Sequence, residues 1–356
     1  MTTEYDKLLL NFLTGGTTSL AIALGRKLGL FEVLFEISSD AHHVSPEELA
    51  QKANCKPRYV REWCACLACA GIFQVDDEEK YWLTEDQKKS LQGNALVPMF
   101  SMIPLFSDGR EKLQEAFDAS NPRLGMDYSD FSTFYELMAQ ISTNAHDKVV
   151  IPKLLPEIGH GIVEKLVAGN MKSLDVGCGI GFHVQMLAKA YPKSHFTGLD
   201  LTASAIETAN KRKLDEKTEN AEYIQCNAAS MPENWADSFD FVTIFDACHD
   251  QTRPDLCLKE IHRVLKPGGL FAMIEIKGTS HVAKDKAANP LLSSVFYGCS
   301  MFHCLPVGSN LPDALCLGAM WGQERAQNLM KQSGFSSIDT LTPDYLSVNN
   351  VYIAKK

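Results

Sequence analysis

Three glycines at every second position, Gly177, Gly179 and Gly181, separate the apolar alternation of Ser173-Leu-Asp-Val176 from the helical pattern of Phe182 to Ala190. This run constrains the fold more than any other part of the chain. The backbone must turn where bulkier side chains could not pass, with a buried strand before the turn and a helix after it. The next apolar run, Phe196-Thr-Gly-Leu-Asp200, ends in a carboxylate 19 residues after Gly181. At the end of a second parallel strand that carboxylate is placed to accept both hydroxyls of a ribose, while the bare glycine backbone admits the rest of a nucleotide-like cofactor.

Spacing chooses between cofactors. Dinucleotide enzymes use G-x-G-x-x-G to seat a pyrophosphate on a helix N-terminus, whereas this chain has G-x-G-x-G with Asp175 just upstream. That version resembles motif I of the S-adenosylmethionine-dependent methyltransferases, whose cofactor has no phosphate and needs a channel for a methionine tail, an acceptor for its ammonium and a clamp for its ribose. The resemblance implies S-adenosyl-L-methionine as cofactor, held by Asp175, Gly177, Gly179, Gly181, Asp200 and its neighbour Leu201. Three further strand-bearing runs follow in the order it requires: Tyr223 to Ser230, Phe239 to Asp250 and Ile261 to Ile274. The third strand of the family usually ends in an acidic residue for the adenine amine. Here Asn227 stands in its place, followed by Ala228, so an amide oxygen takes that work or the contact moves. Phe245 and Asp246, after the fourth strand, complete the expected cofactor set.

A different module precedes this one. Leu20 to Leu34 has amphipathic helical spacing, Ser45-Pro-Glu-Glu opens a second helix with a capping serine and a first-turn proline, and Lys56-Pro-Arg-Tyr-Val opens a third. Ile72 to Val75, an acidic turn and Lys80 to Thr84 then read as a hairpin, which makes the whole a winged helix. Residues 1–95 carry ten Lys and Arg against fourteen Asp and Glu, and the turn of the wing is itself acidic. Nucleic-acid binders draw affinity from cations that neutralise phosphates, so DNA is disfavoured here, as it is by the net charge of −10 over the chain. The module resembles the N-terminal dimerisation domain of small-molecule methyltransferases, and a homodimer is the expected partnership.

The reading therefore has three parts: a winged-helix domain over 1–95, a helical linker and cap over 96–172, and a cofactor-binding domain over 173–356 with a pocket-walling insertion around 280–320. The class is α/β, a seven-stranded Rossmann-like sheet with an α-rich N-terminal domain. The resemblance spans nearly the whole length and names a subgroup of the class I methyltransferases with an N-terminal winged helix.

Methyl transfer from a sulfonium is an in-line displacement that asks the protein to align a nucleophile, exclude water and remove a proton; no metal is required. His249 and Asp250 fall at the carboxyl end of the fourth strand, where open parallel sheets place their ligands, and imidazole titrates near neutrality. His249 is the first candidate base and His303 the second. Tyr128 and Tyr135 on the cap, Asp250, Tyr297 and Trp321 are the candidate substrate-pocket residues. Cys304 next to His303 is set aside as a nucleophile because adjacent residues on a regular element point apart.

The expected acceptor is a small molecule methylated on sulfur, oxygen or nitrogen, with a thiol attractive because a soft nucleophile needs little beyond deprotonation and an apolar pocket. The alternatives are a cofactor-sensing winged-helix regulator, which would need a basic recognition face, and a protein or RNA methyltransferase. Eleven cysteines in apolar segments suit free thiols in a reducing compartment, and Cys64, Cys66 and Cys69 read as packing residues on one helix. With no apolar run near the roughly 18 residues of a membrane span and no basic start, a cytoplasmic location is expected.

Overall fold

The computed structural model describes residues 3–94, 97–131 and 133–356. They form two compact units, 1–107 and 108–356. The expected separate linker and cap over 96–172 is thus divided, and most of it belongs with the sheet. Val150, Leu154, Leu155, Ile158, Ile162 and Leu166 explain why, since they pack in one cluster with sheet residues Phe196, Phe241 and Leu270.

In the N-terminal unit, Thr3 caps α1 (Glu4–Lys27) in a reciprocal capping box with Asp6. The single helix expected over Leu20 to Leu34 is two, because Gly29 takes a left-handed φ of 70° and starts α2 (Leu30–Ile37) in a new direction. Ser45 accepts from the Glu48 amide at 3.1 Å to open α3 (Pro46–Lys52), and α4 (Pro57–Cys69) follows. Strands β1 (Gln74–Val75) and β2 (Tyr81–Trp82) pair antiparallel as the wing. Leu34, Leu49, Leu67 and Leu83 are fully buried around Trp63, whose indole donates to the Ala21 carbonyl at 2.8 Å. That core uses only one end of α1. Leu9, Leu10, Phe12, Leu13, Leu20 and Leu24 on the same helix are exposed.

The second unit is built on a seven-stranded sheet: β3 (Lys172–Val176), β4 (His195–Asp200), β5 (Ala221–Gln225), β6 (Phe239–Phe245), β7 (Leu265–Ile276), β8 (Ile338–Leu341) and β9 (Asn349–Lys355). Their order is β5-β4-β3-β6-β7-β9-β8, with β9 antiparallel to both of its neighbours and the rest parallel. β7 starts at Leu265 and takes in Lys266-Pro-Gly-Gly269, with a register shift before Leu270. Both faces are covered, so strand residues alternate between two cores. Leu270, Ala272 and Ile274 of β7 face one, while Phe271 and Met273 face the other. Chain order reverses at β3, and a ligand crevice is expected at the carboxyl ends of β3 and β6.

The eleven cysteines are free thiols. Two helical runs, Glu4–Lys27 and Pro290–Gly308, are long and apolar enough by length and composition to cross a membrane, which corrects the expectation that no segment reaches that length. The second carries the buried His303 and Cys304.

Candidate active site

The glycine turn follows β3, with Gly177, Gly179 and Gly181 at φ of 69°, 55° and 81°. A Cβ on Gly181 would lie 2.5 Å from the Tyr223 ring, and one on Gly177 would lie 2.7 Å from the Ala247 Cβ. Side chains are thereby excluded from a turn pressed between β5 and the loop after β6. Asp200 closes the other side. Its carboxylate accepts from the Gly179 and Thr202 amides, each at 2.9 Å, so the acid at the end of β4 is tied to the glycine backbone. Burial raises its pKa, against those amide donors.

A third partner comes from the cap helix, Phe134–His146. The Tyr135 hydroxyl donates toward Asp200 Oδ1 at 3.1 Å and lies 2.6 Å from Thr202 Oγ1, with its ring over Gly179. At its far end the helix holds His146, whose Nδ1 is 2.9 Å from His183 Nε2 just beyond the glycine turn. Burial pushes His146 down to about 4 and His183 well below its ordinary value, so the two imidazoles share a neutral hydrogen bond.

Other expected cofactor residues divide. Asp175 is buried in β3, accepts from Thr243 Oγ1 at 2.8 Å and is pushed up to about 7 by burial. Asp246, at a left-handed φ of 46°, accepts from Asn349 Nδ2 at 2.7 Å. It too is pushed up to about 7, by burial and then by Glu275. Leu201 is exposed beside Asp200, and Ala228 is buried. The amide oxygen of Asn227 differs from expectation: it accepts from the Ala229 amide at 2.9 Å and is committed to its own turn. Phe245 stacks on His183 at 3.7 Å, so its ring serves the packing of that helix.

The loop after β6 carries the reactive cluster. His249 Nδ1 lies 2.5 Å from Glu275 Oε2 in β7, the strand next to β6. Glu275 is fully buried and also accepts from the Cys248 and His249 amides and the Trp321 indole. Beside His249 Nε2 are Asp250 Oδ1 at 3.4 Å and the Cys304 thiol, which hydrogen-bonds the imidazole. Burial alone would lower the pKa of His249. The Glu275 and Asp250 carboxylates outweigh it and hold the ring well above its ordinary value, as an imidazolium in an ion pair.

Asp250 Oδ2 accepts from the Tyr128 hydroxyl at 3.1 Å and is 3.8 Å from His303 Nδ1. His303 stacks on Phe134 at 4.0 Å, near Phe131 and Tyr128, and burial pushes it down to about 4. Cys304 and His303 therefore reach the same acid, contrary to the expectation that neighbours on the helix point apart. The reason is a π-helical turn over Ser300–Cys304, whose wider spacing turns both side chains inward.

Residues 168–334 match the family described as "Methyltransferase domain", and residues 16–92 match the "Rv2258c-like winged HTH domain". The chain thus carries a methyltransferase domain behind an N-terminal winged helix. This methyltransferase is 29% identical over 135 residues to the phthiotriol/phenolphthiotriol dimycocerosates methyltransferase of Mycobacterium tuberculosis, covering 37% of this chain and 48% of that one. It is also 29% identical over 149 residues to the demethylmenaquinone methyltransferase of Staphylococcus aureus, covering 42% and 58%. It thus spans about half the length of the curated relatives it matches.

Two solved structures share its fold along nearly the whole length. A putative O-methyltransferase from Nostoc punctiforme superposes with a TM-score of 0.72 at 20% identity, covering 99% of this chain and 100% of the other. Human N-acetylserotonin methyltransferase in complex with SAM gives 0.67 at 15%, covering 99% and 98%.

Of the residues named from the sequence, His249, His303, Asp250, Tyr128 and Tyr135 are brought together in this methyltransferase. Trp321 joins them from beneath as a buried donor to Glu275, not as a pocket wall. Tyr297 is committed elsewhere, to Asp285 Oδ2 at 2.7 Å. Glu275 is the residue that sequence reasoning missed. Its signal was present, since it is the one charge in the apolar run Leu270-Phe-Ala-Met-Ile-Glu-Ile276, and a charge in a strand buried on both faces needs a partner.

Proposed function

We propose that this chain binds S-adenosylmethionine across the carboxyl ends of β3, β4 and β6 and methylates the hydroxyl of a small aromatic molecule, with His249 taking the acceptor proton. The observation that carries the reading is the pairing of a side-chain-free glycine turn, tied to the buried Asp200, with a His249–Glu275 pair on the adjacent loop. The residues fit the cofactor: the turn leaves room where Cβ atoms would clash, Asp200 suits two ribose hydroxyls, and the buried Asp175 lies on the strand below the turn. When bound, S-adenosylmethionine supplies a methyl group already activated on a sulfonium.

The protein's own work is orientation and proton removal. Glu275 fixes the ring of His249 so that Nε2 faces Asp250 and Cys304, and Asp250 and His303 are the polar groups beside it for the acceptor. Tyr128, Phe131 and Phe134 pack around His303 as an aromatic cluster beside Asp250, surroundings that suit a flat ring. Support for a hydroxyl acceptor comes from the structural neighbours, several of which are named O-methyltransferases, and one of which is described in complex with SAM and 2-hydroxy-5-methyl naphthoic acid. A thiol acceptor is the rival outcome.

Replacing His249 by alanine tests the assignment. S-adenosylmethionine affinity measured by calorimetry is expected to be unchanged while turnover falls about 100-fold or more. Equal turnover across pH would remove the imidazole as base. The same reading includes a homodimer, because the apolar side chains left exposed on α1 form a face that a second copy of α1 can cover.

A further inference from the structure

We infer that His249 Nε2, Asp250 Oδ1 and Cys304 Sγ form a binding site for one borderline divalent cation of the zinc and cobalt class. The three ligand atoms lie within 4.8 Å of one another, and all three residues are buried. Two come from the loop after β6 and the third from the π-helical turn, so the site closes only when those segments pack together. The separation of His249 Nε2 and Asp250 Oδ1, 3.4 Å, is already close to the edge of a tetrahedron, about 3.3 Å for bonds of about 2.0 Å.

Two further observations point to a ligand. Among the described residues, Asp250 Oδ1 is buried without a hydrogen-bond partner, although its sister oxygen is held by Tyr128. The His249 ring stands 3.4 Å from Oδ1 without hydrogen-bonding it, and a buried carboxylate oxygen so placed costs free energy until a donor or a cation meets it directly. On the other side, the Nδ1 of His249 is bound to Glu275, which leaves Nε2 as the outward atom in the carboxylate–histidine arrangement common behind metal-bound imidazoles. The donor set of one nitrogen, one oxygen and one thiolate suits zinc and disfavours calcium or magnesium, which take oxygen ligands. Coordination releases the Cys304 thiol proton and the His249 Nε2 proton to solvent and leaves a fourth position for water or an acceptor anion.

The inference deepens the proposed function at one atom. A cation on Nε2 and an acceptor proton compete for the same lone pair, so zinc is expected to inhibit base-dependent transfer and a chelator to relieve it. The two readings fail separately. Metal binding without any methyl transfer leaves the site standing, and transfer without metal binding leaves the base standing.

The test is titration of the reduced, chelator-treated full chain with cobalt(II), followed by absorbance. One equivalent is expected to give a thiolate-to-cobalt charge-transfer band and the intense visible bands of a tetrahedral ion, both displaced by zinc. Cys304→Ser is expected to abolish the charge-transfer band. Glu275→Gln is expected to weaken binding about 10- to 100-fold, the usual cost of removing the group behind a ligating imidazole. Absence of the band in the wild-type protein overturns the site, and so does a band that persists in Cys304→Ser, which would put the ion on other thiols. If Cys304→Ser does not fold by circular dichroism, Asp250→Asn carries the same test: a loss of affinity of tenfold or more supports the site, and unchanged affinity overturns it.

Discussion

Two carboxylates divide the chemistry of this site between them. Asp200 faces the glycine turn and accepts from two backbone amides, which leaves it able to accept from a ribose as well. Asp200→Ala is predicted to lower S-adenosylmethionine affinity at least about 100-fold, since hydrogen bonds to a buried charge contribute roughly 1.5–3 kcal/mol each. Calorimetry showing unchanged affinity would contradict the clamp. Glu275 acts through His249 as a positioning residue. Because the carboxylates hold His249 above its ordinary value, the neutral base forms only as pH rises through that raised value, and turnover should climb on the alkaline side of neutrality. Stability from the ion pair runs the other way, present below the ordinary histidine value and lost as pH rises through the raised one. Glu275→Gln removes a negative charge, so the rising limb of the rate profile should move to lower pH while the plateau falls. A limb that stays in place would contradict the account. Of these residues, Asp200 was legible because it ends an apolar strand run, and His249 because it follows one, in the loop at the carboxyl end of β6. Glu275 was not named, because its role depends on two strands being neighbours in space, 26 residues apart in the chain.

At the level of elements, the cap helix Phe134–His146 is attached at two points, by Tyr135 to Asp200 and by His146 to His183. A ribose hydroxyl arriving at Asp200 Oδ1 has to displace the tyrosine hydroxyl. Tyr135→Phe is therefore expected to speed S-adenosylmethionine association and raise affinity by a few fold, measured by stopped-flow and calorimetry. A loss of tenfold or more would instead make Tyr135 a direct contact of the cofactor. The His146–His183 pair depends on both rings being neutral. Its contribution to stability is present above the ordinary histidine value and is lost as pH falls toward about 4. The strand, glycine turn and helix around residues 172–190 could be read in advance because periodicity and glycine spacing both mark them. The break at Gly29 and the π turn at Ser300–Cys304 could not. The first is one residue inside an uninterrupted apolar pattern, and the second widens a helix without changing its composition.

Over the whole molecule, the winged helix contributes a long helix whose apolar side chains exceed what its own core uses. Leu9→Glu with Leu13→Glu, two residues exposed on α1, is predicted to shift the chain from dimer to monomer in analytical ultracentrifugation without unfolding the methyltransferase domain. A wild-type monomer, or a dimer that survives both changes, would remove α1 as the interface. The seven-stranded Rossmann-like sheet was legible, because the glycine turn and the strand-bearing runs after it follow in the order that the resemblance requires, whereas the antiparallel setting of β9 was not. The boundary at 107 was not, since helices that look like a linker in sequence are part of the sheet's core layer.

Incubating the purified chain with methyl-labelled S-adenosylmethionine and a cell extract separated into small-molecule, protein and nucleic-acid fractions tests methyl transfer to a small acceptor most directly. Label is predicted in the small-molecule fraction, dependent on His249 and Asp200. Label in a polymer fraction, or cofactor binding with no transfer to any fraction, would contradict it.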